Sequence, residues 1–152
     1  MNIVFQFLVV FVFISILVGI YKFLLSRQDH KSYKHGVWVL LFGCLLLFWI
    51  NGAVGIIGSE NNDANLMFVC VPGLGFIVAT LGRFSPISMK HALLTMAGIQ
   101  LLIAVVALVF SLGTGGNSWP KDVIGATVIF ISLWLLAAGR FQAAISSEGQ
   151  SL

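Results

Sequence analysis

HALLTMAGIQLLIAVVALVFSL, residues 91–112, holds no Asp, Glu, Lys or Arg in 22 consecutive positions. Crossing the hydrocarbon core of a bilayer takes a helix of about 20 apolar residues, with about 17–25 tolerated. This run therefore reads as a transmembrane helix. Working outward from it, apolar runs recur at 3–25, 37–57, 66–82 and 123–143, and every charged residue falls at a span end or in a loop. The expected fold is all-α: a polytopic transmembrane helical bundle of five spans, with residues 1–152 forming one integral membrane domain.

Composition demands the same class. Hydrophobic residues make up 59% of the chain and charged residues 9%, with a mean hydropathy of +1.06. A soluble domain carries about 25% charged residues. So few charges cannot cover a water-facing surface, and the principal partner is the lipid bilayer. The pI near 9.1 invites a nucleic-acid reading. That reading is rejected, because the cations sit in loops, where membrane orientation explains them.

Lys22, Arg27, Lys31, Lys34, Arg83, Lys90 and Arg140 all fall on one side if the five runs cross, and only Lys121, beside Asp122, falls on the other. The positive-inside rule then places the N-terminus outside and the C-terminus in the cytoplasm. The first run lacks the basic n-region and small-residue cleavage site of a signal peptide, and its cations follow the apolar stretch, so it should remain as a membrane anchor. The third run, LMFVCVPGLGFIVATLG, is short and contains Pro72, Gly73 and Gly75. Proline removes a helix hydrogen bond, so a kink near Pro72 is expected, shielded among neighbouring helices.

The most polar passage within the apolar region is NGAVGIIGSENNDAN, residues 51–65. Gly52, Gly55 and Gly58 recur at every third position along span two. Together with Gly75 and Ala79 on span three, and Gly139 and Ala143 on span five, they are expected to let helix backbones approach closely in lipid. Asn51 and Gln100 are the natural interhelical hydrogen-bonding pair, since an unpaired amide at membrane depth is costly. Gly58 fits the position after a helix C-cap, Asn62 or Asp63 an N-cap, and Asn65 the following first turn. Turn chemistry thus accounts for most of GSENNDAN. Glu60, Asn61 and Asn62 are the candidates for a partner or small-ligand site, because oxygen-rich clusters suit hard cations.

Cys44 and Cys70 differ in expected depth by roughly 12 Å at 1.5 Å per residue, so no disulfide is expected. His30, His35 and His91 fall near the inner face and read as loop histidines. No metal ligand set, cofactor motif or nucleophile–base arrangement is legible, and no catalytic role is expected.

NGAVGIIGSENNDANLMF, with the following GRFSP and MKHALLTMAGIQ, resembles a family of small bacterial inner-membrane proteins. The likeness covers roughly residues 45–110. It implies localisation in the bacterial inner membrane and a core of four spans from residue 37 onward, with the first span an added N-terminal helix. It implies no activity. The family often carries Pro where this chain has Asp63, which weakens Asp63 as a ligand.

Two functional classes remain. One is a structural or accessory protein, or a subunit of a complex, that associates with other membrane proteins or with itself. The alternative is a small oligomeric transporter or channel, which usually carries an ionisable residue near the bilayer centre.

Overall fold

The structure, a computed structural model, describes residues 3–149. The fold is all-α: α1 is Ile3–Leu25, α2 Lys31–Ala53, α3 Cys70–Leu81, α4 Pro86–Val109 and α5 Lys121–Gly149. A 3-10 segment, Asp63–Val69, leads directly into α3. Counting that segment with α3, five helices are long and apolar enough to cross a membrane. The chain has the build of a multi-pass membrane protein.

Helix boundaries follow caps rather than hydropathy. The second helix starts at Lys31, not 37, because the His30 ring accepts a hydrogen bond from the Ser32 N–H at 3.2 Å. It ends at Ala53, not 57, because Gly55 takes φ +75°. The fourth starts at Pro86, where the Ser85 hydroxyl caps the Ser88 N–H and proline loses no hydrogen bond. The fifth runs on to Gly149 through polar turns beyond the apolar run.

In the third span the break comes earlier than Pro72. The chain changes from 3-10 to α winding at Val69 and Cys70. Pro72 lacks the N–H that would bond Phe68, so an α ladder cannot run unbroken through that turn. Nor is α3 shielded on all sides. It packs on α4 through Val71, Gly75 and Ala79 and exposes Leu74, Phe76 and Ile77.

The tightest packing is around α5, which meets α4 on one side and α2 on another. Gly36 and Gly43 of α2 lie seven residues apart, as do Trp134 and Phe141 of α5. A Cβ on Gly43 would sit 2.6 Å from the Trp134 ring, and one on Gly36 would sit 2.8 Å from the Phe141 ring. Two glycines one heptad apart thus admit two fully buried aromatics. The first helix contrasts with this. Only 6% of its span is buried, against 44% for α4. It leans on α2 through a Phe13–Phe48 stack at 4.0 Å and a Tyr21–Trp38 contact at 5.0 Å.

Contacts between distant segments define two ends. At one, the Tyr33 hydroxyl donates to the Phe84 carbonyl at 2.8 Å, Lys90 Nζ donates to Gln142 at 2.8 Å, and Ser147 meets the His30 ring at 2.9 Å. This is the basic end, where all cations but Lys121 lie in sequence. Lys34 also bonds Asp29 there and holds its carboxyl below the usual range. The other is the cap end, formed by loops 54–62 and 110–120.

Candidate functional site

The cap end is built by asparagines. The Asn65 side chain, 5% exposed, accepts from the Ile56 and Ile57 N–H groups at 2.9 and 2.8 Å and donates to the Ser59 carbonyl at 2.6 Å. The Asn62 amide donates to the carbonyls of Ile57 at 2.9 Å and Leu112 at 2.7 Å, and its oxygen accepts from the Ala64 N–H at 3.0 Å. The bond to Leu112 ties loop 54–62 to loop 110–120. Asn51 Nδ2 reaches the Asn65 carbonyl at 3.1 Å and fastens α2 to the same knot. Irregular backbone leaves N–H and C=O groups with no ladder partner, and burial without partners is costly. Side-chain amides supply both a donor and an acceptor.

The glycines of this passage do different work from a packing stripe. Gly55 and Gly58 lie beyond the helix, with φ of +75° and +77°. It is Gly55, not Gly58, that follows the C-cap of α2. A Cβ on Gly55 would strike the Ser59 backbone, and one on Gly58 would sit 2.9 Å from the Gly113 carbonyl oxygen. Gly58 is thus where the two loops touch. Gly52 and Gly139 have open space where a Cβ would stand, so neither marks a helix contact. Gly75 does, since a Cβ there would lie 2.6 Å from Met96 of α4.

Three candidates for a ligand site are separated by their roles. Asn62 is engaged in the knot through both ends of its amide, whereas Glu60 and Asn61 are exposed and make no side-chain hydrogen bond among the described residues. Among the described residues no group of three or more His, Cys, Asp or Glu could hold a metal ion. Cys44 and Cys70 are free.

The expected Asn51–Gln100 pair does not form. Asn51 turns to the Asn65 carbonyl instead, leaving its own Oδ1 unpartnered. Gln100 is fully buried in the middle of α4, and neither its oxygen nor its nitrogen has a partner. Thr127 Oγ1 and Trp134 Nε1 on α5 are likewise buried and unpartnered.

A second feature had no local signature in the sequence. A half-open groove of about 430 Å³ runs between α1, α2 and α3, with Met89 and Met96 of α4 at its floor. It extends from Asn51 and Phe68 near the cap to Leu24 and Phe84 at the basic end. The turn before α4 shapes that lower end. The Arg83 N–H bonds the Thr80 carbonyl at 2.9 Å and the Phe84 N–H bonds the Ala79 carbonyl at 2.8 Å, a Schellman closure. Arg83 and Phe84 take φ of +53° and +58°, where non-glycine residues are uncommon. Phe84 is held there by an edge contact with Phe23 at 5.4 Å and by its carbonyl bond to Tyr33. The GRFSP passage carried this turn in plain sight, but nothing local said that Phe84 would line a groove.

The chain matches no protein-family model, no curated protein and no solved structure.

Proposed function

We propose that the protein is a structural or accessory component of a bacterial inner membrane, acting as a subunit of a larger membrane complex, with its N-terminus outside and its C-terminus in the cytoplasm. The observation that carries this reading is the asymmetry of the bundle. The first helix contributes little to the core, yet it presents Phe7, Leu8, Phe11 and Val12 outward in its first half. In lipid, such a face gains nothing from hydrophobicity alone, and association depends on van der Waals packing against another helix. Aromatic side chains offer large contact area for that purpose. The seven cations at one end support the orientation by the positive-inside rule.

Purification of the tagged chain in a mild detergent tests the reading. A membrane protein retained in stoichiometric amount, and released by Phe7→Ala/Phe11→Ala without loss of the bundle's own melting transition, is the expected result. A chain that purifies alone and conducts ions or solutes in liposomes would favour the second reading, a small oligomeric transporter or channel. The feature in favour of that alternative is the broken third span, because interrupted helices recur at transporter binding sites.

A further inference from the structure

We infer that the groove between α1, α2 and α3 is a binding site for one anionic phospholipid, its acyl chain along the groove and its phosphate at the basic end against Arg27 and Arg83. Two independent observations meet in one place. The groove is apolar along its walls, lined by side chains such as Leu17, Ile20, Leu47 and Phe76. An apolar cavity stays dry, and within a bilayer the available apolar occupant is hydrocarbon. Its volume of about 430 Å³ lies in the range of built ligand sites. Its mouth is the gap between α1 and α3, which scarcely touch.

Charge then selects the headgroup. At the basic end the groove is lined by Phe84, against which Phe23 of α1 packs edge-on. The Arg27 guanidinium lies over the Phe23 ring, 4.7 Å from its centroid. Arg83 adjoins Phe84 in the chain and lies at the surface. Among the described residues the salt bridge is Lys34–Asp29, and neither arginine meets a carboxylate. Neither arginine lines the groove itself; Arg27 sits over Phe23 and Arg83 is the chain neighbour of Phe84, so both lie just outside its lower end, where the spans end at the level of lipid headgroups. Arginine recognises phosphate through paired, charge-assisted hydrogen bonds, and basic pockets between spans suit anionic headgroups. The strained turn at residues 83 and 84 has a consequence here: it points Phe84 into the groove and leaves Arg83 at the surface.

The test uses the full chain purified in mild detergent, with phosphatidylglycerol or phosphatidylcholine added, read by the melting temperature and by native mass spectrometry. Phosphatidylglycerol should raise the melting temperature in a saturable way and leave one lipid bound, whereas phosphatidylcholine should do so only weakly. Arg27→Gln, alone and with Arg83→Gln, should weaken phosphatidylglycerol binding by about tenfold or more for each charge-assisted hydrogen bond removed. Gly73→Leu, at a groove residue whose Cβ position is open, should block both lipids while leaving the fold intact. Arg140→Gln, on the helix that does not line the groove, should leave binding unchanged. Equal binding of the two lipids would reduce the groove to unselective hydrocarbon filling. Equal losses for Arg140→Gln and Arg27→Gln would mean diffuse surface charge. Either result overturns the assignment, as does a Gly73→Leu protein that still binds one phosphatidylglycerol.

Discussion

Asn65 and Gln100 are both buried carboxamides, at 5% and 0% exposure, and their situations are opposite. Asn65 makes three side-chain hydrogen bonds, all to backbone groups of loop 54–62. Gln100 makes none. The difference lies in what surrounds them. A loop exposes backbone N–H and C=O groups that need partners, so an amide there meets complementary groups on every side. In the middle of a helical bundle the backbone groups are already joined in i→i−4 ladders. An amide at that depth finds no free backbone partner, and the buried polar groups of α5, Thr127 Oγ1 and Trp134 Nε1, are left unpartnered as well. The cap end is held by polar bonds and the bundle centre by packing.

The largest expected effect is at Asn65. Asn65→Leu should leave the Ile56 and Ile57 N–H groups without their acceptor. At about 1–3 kcal/mol for each buried group left unpaired, the loss of unfolding free energy in mixed micelles should reach roughly 2–6 kcal/mol. Asn65→Asp keeps an acceptor oxygen and should lose less. If Asn65→Leu melts like the parent, the cap is not held by this amide.

Gly43→Ala probes the packed centre. The added methyl would stand 2.6 Å from the Trp134 ring, and overpacking of this kind costs about 1–3 kcal/mol. Gly98→Ala, with open space at its Cβ, should instead be neutral or gain up to about 1 kcal/mol of helix propensity. Similar melting shifts at the two glycines would remove the contrast between a close contact and a lipid-facing position.

Gln100→Leu should behave oppositely to Asn65→Leu. It removes an unpartnered amide and keeps its bulk, so stability should rise by about 1 kcal/mol. A loss instead would reveal that Gln100 has a bonding partner in the membrane. Smallest of all is Glu60→Gln, at an exposed carboxylate outside the knot, where substitutions change stability by about 0.5 kcal/mol or less. Divalent-cation titrations followed by melting should be alike for parent and variant. A metal-dependent shift present in the parent and absent from Glu60→Gln would make the turn a ligand site.

The apolar run at 91–112 and its four companions determined the fold class, because span length is set by bilayer thickness and is readable from composition alone. The helix cap was legible to within one residue, as Asn62 or Asp63, since capping is local chemistry between a residue and its next turn; the structure puts it at Asn62. The extents of the helices were less so: hydropathy marks where hydrocarbon begins, while helices continue until a cap or a left-handed residue stops them, as at His30 and Gly55. Tertiary structure alone decided the rest. It turned Asn51 to the Asn65 carbonyl and left Gln100 alone, set Gly36 and Gly43 beneath Phe141 and Trp134, and lined a groove with Phe84. Each of these joins residues from separate elements of the chain. Which face of one helix meets which face of another depends on the shapes of all the side chains packed between them, and one span read by itself does not contain that.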